Sequence, residues 1–208
     1  MRNELFALAA SYGLGCFSTG YYLVRIRLHR DIREIGSRSA GASNVGRTLG
    51  KTGFAVTFAG DLLKGILAIA LANYCVGGLP FAGLAMFAVV AGHIFPVQLR
   101  GRGGKGIATA FGAVIACDYR LAVLILALFV LLYLLSRQWL RCGIIVILLA
   151  PLIARLIGLP LRFDLMLAGV AALLLFAHRD NIRRLSRSES APIVPATSTV
   201  AAASVSEE

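Results

Sequence analysis

From its N-terminus the chain alternates long apolar runs with short polar segments rich in glycine and arginine. A helix needs about 20 apolar residues to cross the hydrocarbon core of a bilayer. Seven runs reach or approach that length: 4–24, 53–76, 79–99, 106–117, 121–135, 142–157 and 163–177. The pattern predicts an all-α fold, a polytopic membrane helix bundle of about seven transmembrane helices. The fourth run is short for a full crossing, which leaves a half-crossing, or a helix buried by its neighbours, and a count of six as the rival.

The Lys and Arg positions discriminate between the two counts, because alternate loops face opposite sides and the basic ones are cytoplasmic. With seven crossings and the N-terminus outside, Arg25, Arg27, Arg30, Arg33, Arg38, Arg47, Lys51, Arg100, Arg102, Lys105, Arg137 and Arg141 fall inside, together with the four arginines after the last run. Arg2, Arg120, Arg155 and Arg162 stay outside and Lys64 lies within the second run. The C-terminus is then cytoplasmic. The membrane domain is expected over residues 1–187, and the Ser-, Ala-, Pro- and Thr-rich stretch 188–208 is expected to be a disordered cytoplasmic tail.

Composition supports the membrane reading. Hydrophobic residues make up 58% of the 208 and charged residues 15%, with a mean hydropathy of +0.80. A formal charge of +11 in a soluble protein would suggest nucleic acid. Here the basic residues sit between apolar runs, where they orient the chain, meet membrane phospholipids and bind anionic substrates, so no nucleic-acid partner is expected. The first run lacks a small-residue cleavage site and reads as an uncleaved helix. Cys16, Cys75, Cys117 and Cys142 are widely spaced and read as buried free thiols, and neither a metal site nor a cofactor is expected.

Three polar segments carry candidate chemistry. In GSRSAGASNVGRTLG (36–50), glycines such as Gly36 and Gly41 let the backbone turn N–H groups toward an anion, while Ser37, Asn44 and Arg47 add donors and charge; an ordinary flexible loop has the same composition. In GHIFPVQLRGRGGKG (92–106), Gly103, Gly104 and Gly106 surround Lys105 at the start of a helix, a setting suited to phosphate. It is not a Walker A loop, because Gly106 replaces the Ser or Thr that would hold magnesium. His93 stands one turn earlier. In HRDNIRRL (178–185), His178 and Asn181 share a helical face, and the arginines after them suit a lipid surface. Within the second run, Asp61 and Lys64 at i and i+3 are expected to neutralise each other and to support the site.

In this order, GSRSAGASNVGRTLG, GDLLKG, GHIFPVQLRGRGGKGIAT and HRDNIRRL resemble the bacterial acyl-phosphate-dependent glycerol-3-phosphate acyltransferases, from about residue 15 to residue 185. The resemblance implies transfer of a fatty acyl group from acyl phosphate to the 1-hydroxyl of glycerol 3-phosphate, at a multi-pass site in the bacterial cytoplasmic membrane. It implies no cofactor, and the enzyme that forms the acyl phosphate as a partner. It places Ser37, Asn44 and Arg47 in the first motif, His93 and Lys105 in the second, and His178 and Asn181 in the third. Two departures stand out. The family usually reads GSGNIGATN where this chain has Arg38 and Ser39 at the third and fourth positions, and GSIPFG where this chain has GCFSTG. If position 38 requires a positive φ, arginine there is strained by about 1 kcal/mol or more. A diverged relative with another acceptor, or a transporter of an anionic lipid or phosphate compound, are the competing expectations.

Overall fold

The computed structural model describes residues 1–190; the expected tail falls almost wholly outside the described residues, with the last helix running to Ser190. Among the described residues all regular structure is helical: α1 (Arg2–Cys16), α2 (Thr19–Leu28), α3 (Ala42–Cys75), α4 (Leu79–Ile94), α5 (Ile107–Cys117), α6 (Tyr119–Ser136), α7 (Trp139–Leu156), α8 (Leu161–Ala177) and α9 (Arg179–Ser190), with 3-10 turns at Ile32–Glu34 and Val97–Leu99. The described residues divide into two units, Met1–Ala177 and a second that begins at His178 and contains α9. Four segments of the first unit are long and apolar enough to cross a membrane: α3, α4 with its extension to Leu99, α6 and α7. This is a multi-pass membrane helix protein.

The run expected as one continuous first helix is broken. Phe17 and Ser18 are extended, and the chain restarts as α2 at Thr19. A break in a membrane helix strands carbonyl groups that lipid cannot satisfy. Here the carbonyls of Gly15 and Phe17 accept from Lys64 Nζ at 3.2 and 2.7 Å, and that of Cys16 accepts from Gln98 Nε2. The departure from GSIPFG lies in this stretch, and in this chain side chains from α3 and from the turn after α4 hold the break without a proline.

Small residues set the packing. A Cβ on Gly65 of α3 would strike the carbonyl of Thr109 on α5, and one on Gly112 of α5 would strike the carbonyl of Leu62 on α3. The same reciprocal approach joins α1 to α4, where Gly15 meets Val89 O and Gly92 meets Tyr12 O. Close backbone approach of this kind is how helices gain van der Waals contact where lipid gives no hydrophobic drive. It explains why an 11-residue α5 is stable, with Thr109, Ala110 and Ala113 buried against its neighbours. The core around these contacts includes Ala68, Ile69, Met86, Val89, Leu121 and Phe163. On α6, Leu131, Leu134 and Leu135 face outward, as lipid-exposed positions should. Cys16 and Cys142 are buried as expected, whereas Cys75 and Cys117 are half-buried; all four are free thiols.

Candidate functional site

The segment between α2 and α3 is organised by Asn44, which is 1% exposed in the first turn of α3. Its Nδ2 donates to the carbonyls of Ile35, Ser39 and Ile32 at 2.9, 3.0 and 3.3 Å, and its Oδ1 accepts from the backbone N–H of Ser37 at 2.9 Å. Every polar atom of the side chain is thus spent on the loop. Asn44 fixes where Ser37 sits, and Gly36 (φ +56°) passes so close to Asn44 Oδ1 that a Cβ would lie 2.5 Å from it. Ser37 itself is exposed, and so are Arg38 and Arg47.

Position 38 has φ +58°, so arginine occupies left-handed backbone here, a conformation glycine adopts without strain. Gly41 ends the loop as the N-cap of α3, with its N–H donating to Ser39 Oγ at 3.3 Å.

The second loop lies against the first. Gly103 N–H bonds back to Ile94 O and Gly104 N–H to His93 O, both at 3.1 Å, and Ala40 N–H donates across to Gly103 O at 3.3 Å. Arg33 adds a second tie, donating to Leu99 O at 2.7 Å. A Cβ on Gly41 would lie 4.0 Å from the backbone nitrogen of Lys105. Lys105 is half-buried, and Gly106 (φ +84°) follows it as the N-cap of α5. The N-termini of α3 and α5 therefore open beside a lysine. Helix N-termini carry unpaired N–H groups and a partial positive charge, and an anion binds where they converge.

Arg33 is a participant that motif reading missed. Its guanidinium grips Asp31 through Nε at 2.9 Å and a terminal nitrogen at 2.6 Å while reaching the second loop. That hydrogen-bonded pairing holds the Asp31 carboxyl below the usual carboxylate range. The Asp-x-Arg spacing was a visible signal; the carbonyl partner 66 residues away was not.

Asp61, Lys64 and His93 form a separate buried cluster beneath the second loop. Lys64 Nζ lies 2.9 Å from Asp61 Oδ1 and 2.7 Å from His93 Nδ1, and each residue is under 5% exposed. The expected neutralisation of Asp61 by Lys64 is present. Neither residue stands at the loop surface; their link to it runs through His93, whose ring lies against Gly104. His178 and Asn181 begin the second unit, where His178 O accepts from Ile182 N–H in the first turn of α9.

An apolar cavity of about 340 Å³ begins one residue beyond Gly106. It is lined by Ile107, Phe111 and Val114 of α5, Phe58 of α3, and side chains of α6, α7 and α8, including Phe129, Val146 and Leu174. Its size falls in the range of small-molecule sites. Among the described residues no cluster of His, Cys, Asp or Glu is arranged to hold a metal ion.

Comparison with known proteins gives a single direction. The profile of the family described as glycerol-3-phosphate acyltransferase matches residues 5–188. The chain is 42% identical over 187 residues to glycerol-3-phosphate acyltransferase 1 of Desulfitobacterium hafniense, covering 90% of this chain and 93% of that protein. It is 40% identical to the glycerol-3-phosphate acyltransferase of Nitrobacter winogradskyi, covering 88% and 92% respectively. Among solved structures it resembles the crystal structure of PlsY (YgiH), an integral membrane glycerol 3-phosphate acyltransferase, in its glycerol 3-phosphate form, with a TM-score of 0.82 and 31% identity over 89% of this chain and 92% of that one. The lysophosphatidic acid form of PlsY matches with a TM-score of 0.79.

Proposed function

The chain belongs to the glycerol-3-phosphate acyltransferase family and is an acyltransferase; from that premise we propose that its donor is an acyl phosphate, its acceptor the 1-hydroxyl of glycerol 3-phosphate, and its site the paired glycine loops. The product is lysophosphatidic acid, the opening ester of a phospholipid. The observation that carries the reading is one of adjacency: two helix N-termini and Lys105 converge at one place, and the apolar cavity starts at the next helical residue, Ile107. A phosphate with a fatty chain attached needs both features side by side.

In the reaction the acceptor oxygen attacks the acyl carbon, the acyl–oxygen bond to phosphate breaks, and inorganic phosphate leaves. Lys105 and Arg47 supply positive charge to the phosphates, and Ser37 with loop N–H groups orients the acyl phosphate and stabilises the developing oxyanion. Asn44 acts through Ser37 as a positioning residue. For His178 and Asn181 the roles rest on the sequence motif alone: His178 orients the acceptor and Asn181 the acyl phosphate. Phosphate is a good leaving group and its oxygens take up the hydroxyl proton, so no Ser-His-Asp arrangement is required.

The proposed topology treats α1 and α2 as one broken crossing followed by α3 to α8, seven in all, with the N-terminus outside and the basic loops facing the cytoplasm. The distribution of Lys and Arg supports it. In a bacterium the membrane is the cytoplasmic one, and the enzyme that makes the acyl phosphate is the natural partner.

The test is phosphate release and lysophosphatidate formation by purified, lipid-reconstituted protein given palmitoyl phosphate and glycerol 3-phosphate, beside a Ser37→Ala control. Turnover lost in the control supports the site; no turnover in well-folded protein refutes the substrate pair. Because Arg38 and Ser39 stand beside Ser37, a second reading keeps the chemistry with a different acceptor alcohol. A rise in glycerol 3-phosphate turnover in the double variant Arg38→Gly, Ser39→Asn would favour it.

A further inference from the structure

Resting on the phosphate role given above to the paired loops, we propose that Lys64 is a positioning residue that fixes the tautomer of His93, so that the ring presents Nε2–H as a donor to a substrate phosphate at the second glycine loop. The Lys64 ammonium is surrounded by acceptors: Gly15 O at 3.2 Å, Phe17 O at 2.7 Å, Asp61 Oδ1 at 2.9 Å and His93 Nδ1 at 2.7 Å. An ammonium has hydrogens and no lone pair. His93 Nδ1 facing it must therefore present its own lone pair, and the neutral ring then carries its proton on Nε2. Asp61 would favour the opposite tautomer, but its Oδ1 is 3.6 Å from Nδ1 and lies farther from the ring than Lys64 does.

The other edge of the ring meets the loop. A Cβ on Gly104 would collide with His93 Nε2, and the Gly104 N–H is bonded to the carbonyl of His93 itself. Ring and loop thus share one register, and the following residue is Lys105. The need for glycine at 104 follows from the ring that occupies the space of a side chain. Lys64 closes the broken first helix with two of its hydrogen bonds and sets the histidine with another, so one buried cation links that break to the phosphate loop.

Two phosphates reach this site, that of the acceptor and that of the acyl donor, and the shared chemistry is a phosphate oxygen. The experiment uses full-length reconstituted protein labelled with [15N]histidine, which has three histidines to assign, His29, His93 and His178. The expected spectrum shows a neutral His93 protonated on Nε2 whose proton resonance moves on adding glycerol 3-phosphate, palmitoyl phosphate or, as a substrate-independent probe, inorganic phosphate. In Lys64→Met the proton should move to Nδ1, toward Asp61. Should that variant fail to insert, His93→Gln and His93→Asn decide, because glutamine carries an N–H near the Nε2 position and asparagine is too short to do so. For one of the two substrates, KM should be about tenfold or more higher in His93→Asn than in His93→Gln, the scale of a hydrogen bond to a charged group. The affected substrate names the phosphate. A wild-type proton on Nδ1, no response to any phosphate, or equal losses in the two variants would overturn the proposal. Absence of wild-type turnover would instead refute the substrate assignment and leave the histidine spectrum as an independent result.

Discussion

Arg38 offers a direct measure of what the first loop costs to hold. Its φ of +58° places a branched-at-nothing but β-carbon-bearing residue in left-handed backbone, a conformation disfavoured by about 1–2 kcal/mol outside glycine. Arg38→Gly removes that strain and also frees the unfolded chain, which costs about 0.4–1 kcal/mol. The net expectation is a gain of about 0.5–1 kcal/mol, or a rise of about 1–4 °C in melting temperature for a protein of this size. Arg38 is exposed, so loss of packing should not obscure the effect. Arg38→Ala keeps the Cβ and the strain while removing the charge, and should leave the melting temperature near wild type. Thermal unfolding of the three proteins in the same detergent gives the comparison. Equal stabilisation by Gly and Ala would assign the effect to charge and refute the conformational account.

Three other outcomes are expected. Lys105→Ala should abolish acyl transfer while leaving helical content and melting behaviour intact; a fully active variant would remove Lys105 from phosphate binding. Gly143 of α7 lines the apolar cavity and a Cβ there meets nothing within 4 Å, so Gly143→Leu should fill the space and lower kcat/KM for long acyl phosphates by about tenfold relative to short ones, with an unaltered chain-length profile arguing against an acyl chain in that cavity. Asp31 has its carboxyl held low by Arg33, so its contribution to stability is fully present above the ordinary carboxylate pKa near 4 and is lost as pH falls through the lower folded value; the stability gap between wild type and Asp31→Asn should be constant from about pH 5 upward and close below about pH 4.

Apolar run length made the helical membrane architecture legible, because it reflects the solvent a residue meets. The interruption at Phe17 and Ser18 was not legible. A continuous apolar run says nothing of whether carbonyls find partners elsewhere, and Lys64 and Gln98 lie 47 and 82 residues from the carbonyls they serve. Position 38 was readable as a conditional: a motif glycine replaced by arginine implied strain if φ were positive, and it is. Asn44 was recognisable as important but not in what way, since an asparagine in a glycine-rich loop has the same signature whether it faces a ligand or three backbone carbonyls. The Asp61–Lys64 pairing followed from helical spacing, whereas His93 joined it only through the packing of α4 on α3.

The broken first helix also bears on how the protein enters the membrane. Alone in lipid, the α1–α2 segment would expose the carbonyls of Gly15, Cys16 and Phe17, groups that are costly to leave unsatisfied in hydrocarbon. Their partners arrive only with α3 and with the turn that follows α4. On the proposed topology the N-terminal segment is therefore an incomplete crossing by itself, and its stable insertion depends on helices synthesised later. On that reading Lys64, the residue that repairs the break, also ties the stability of the first crossing to α3.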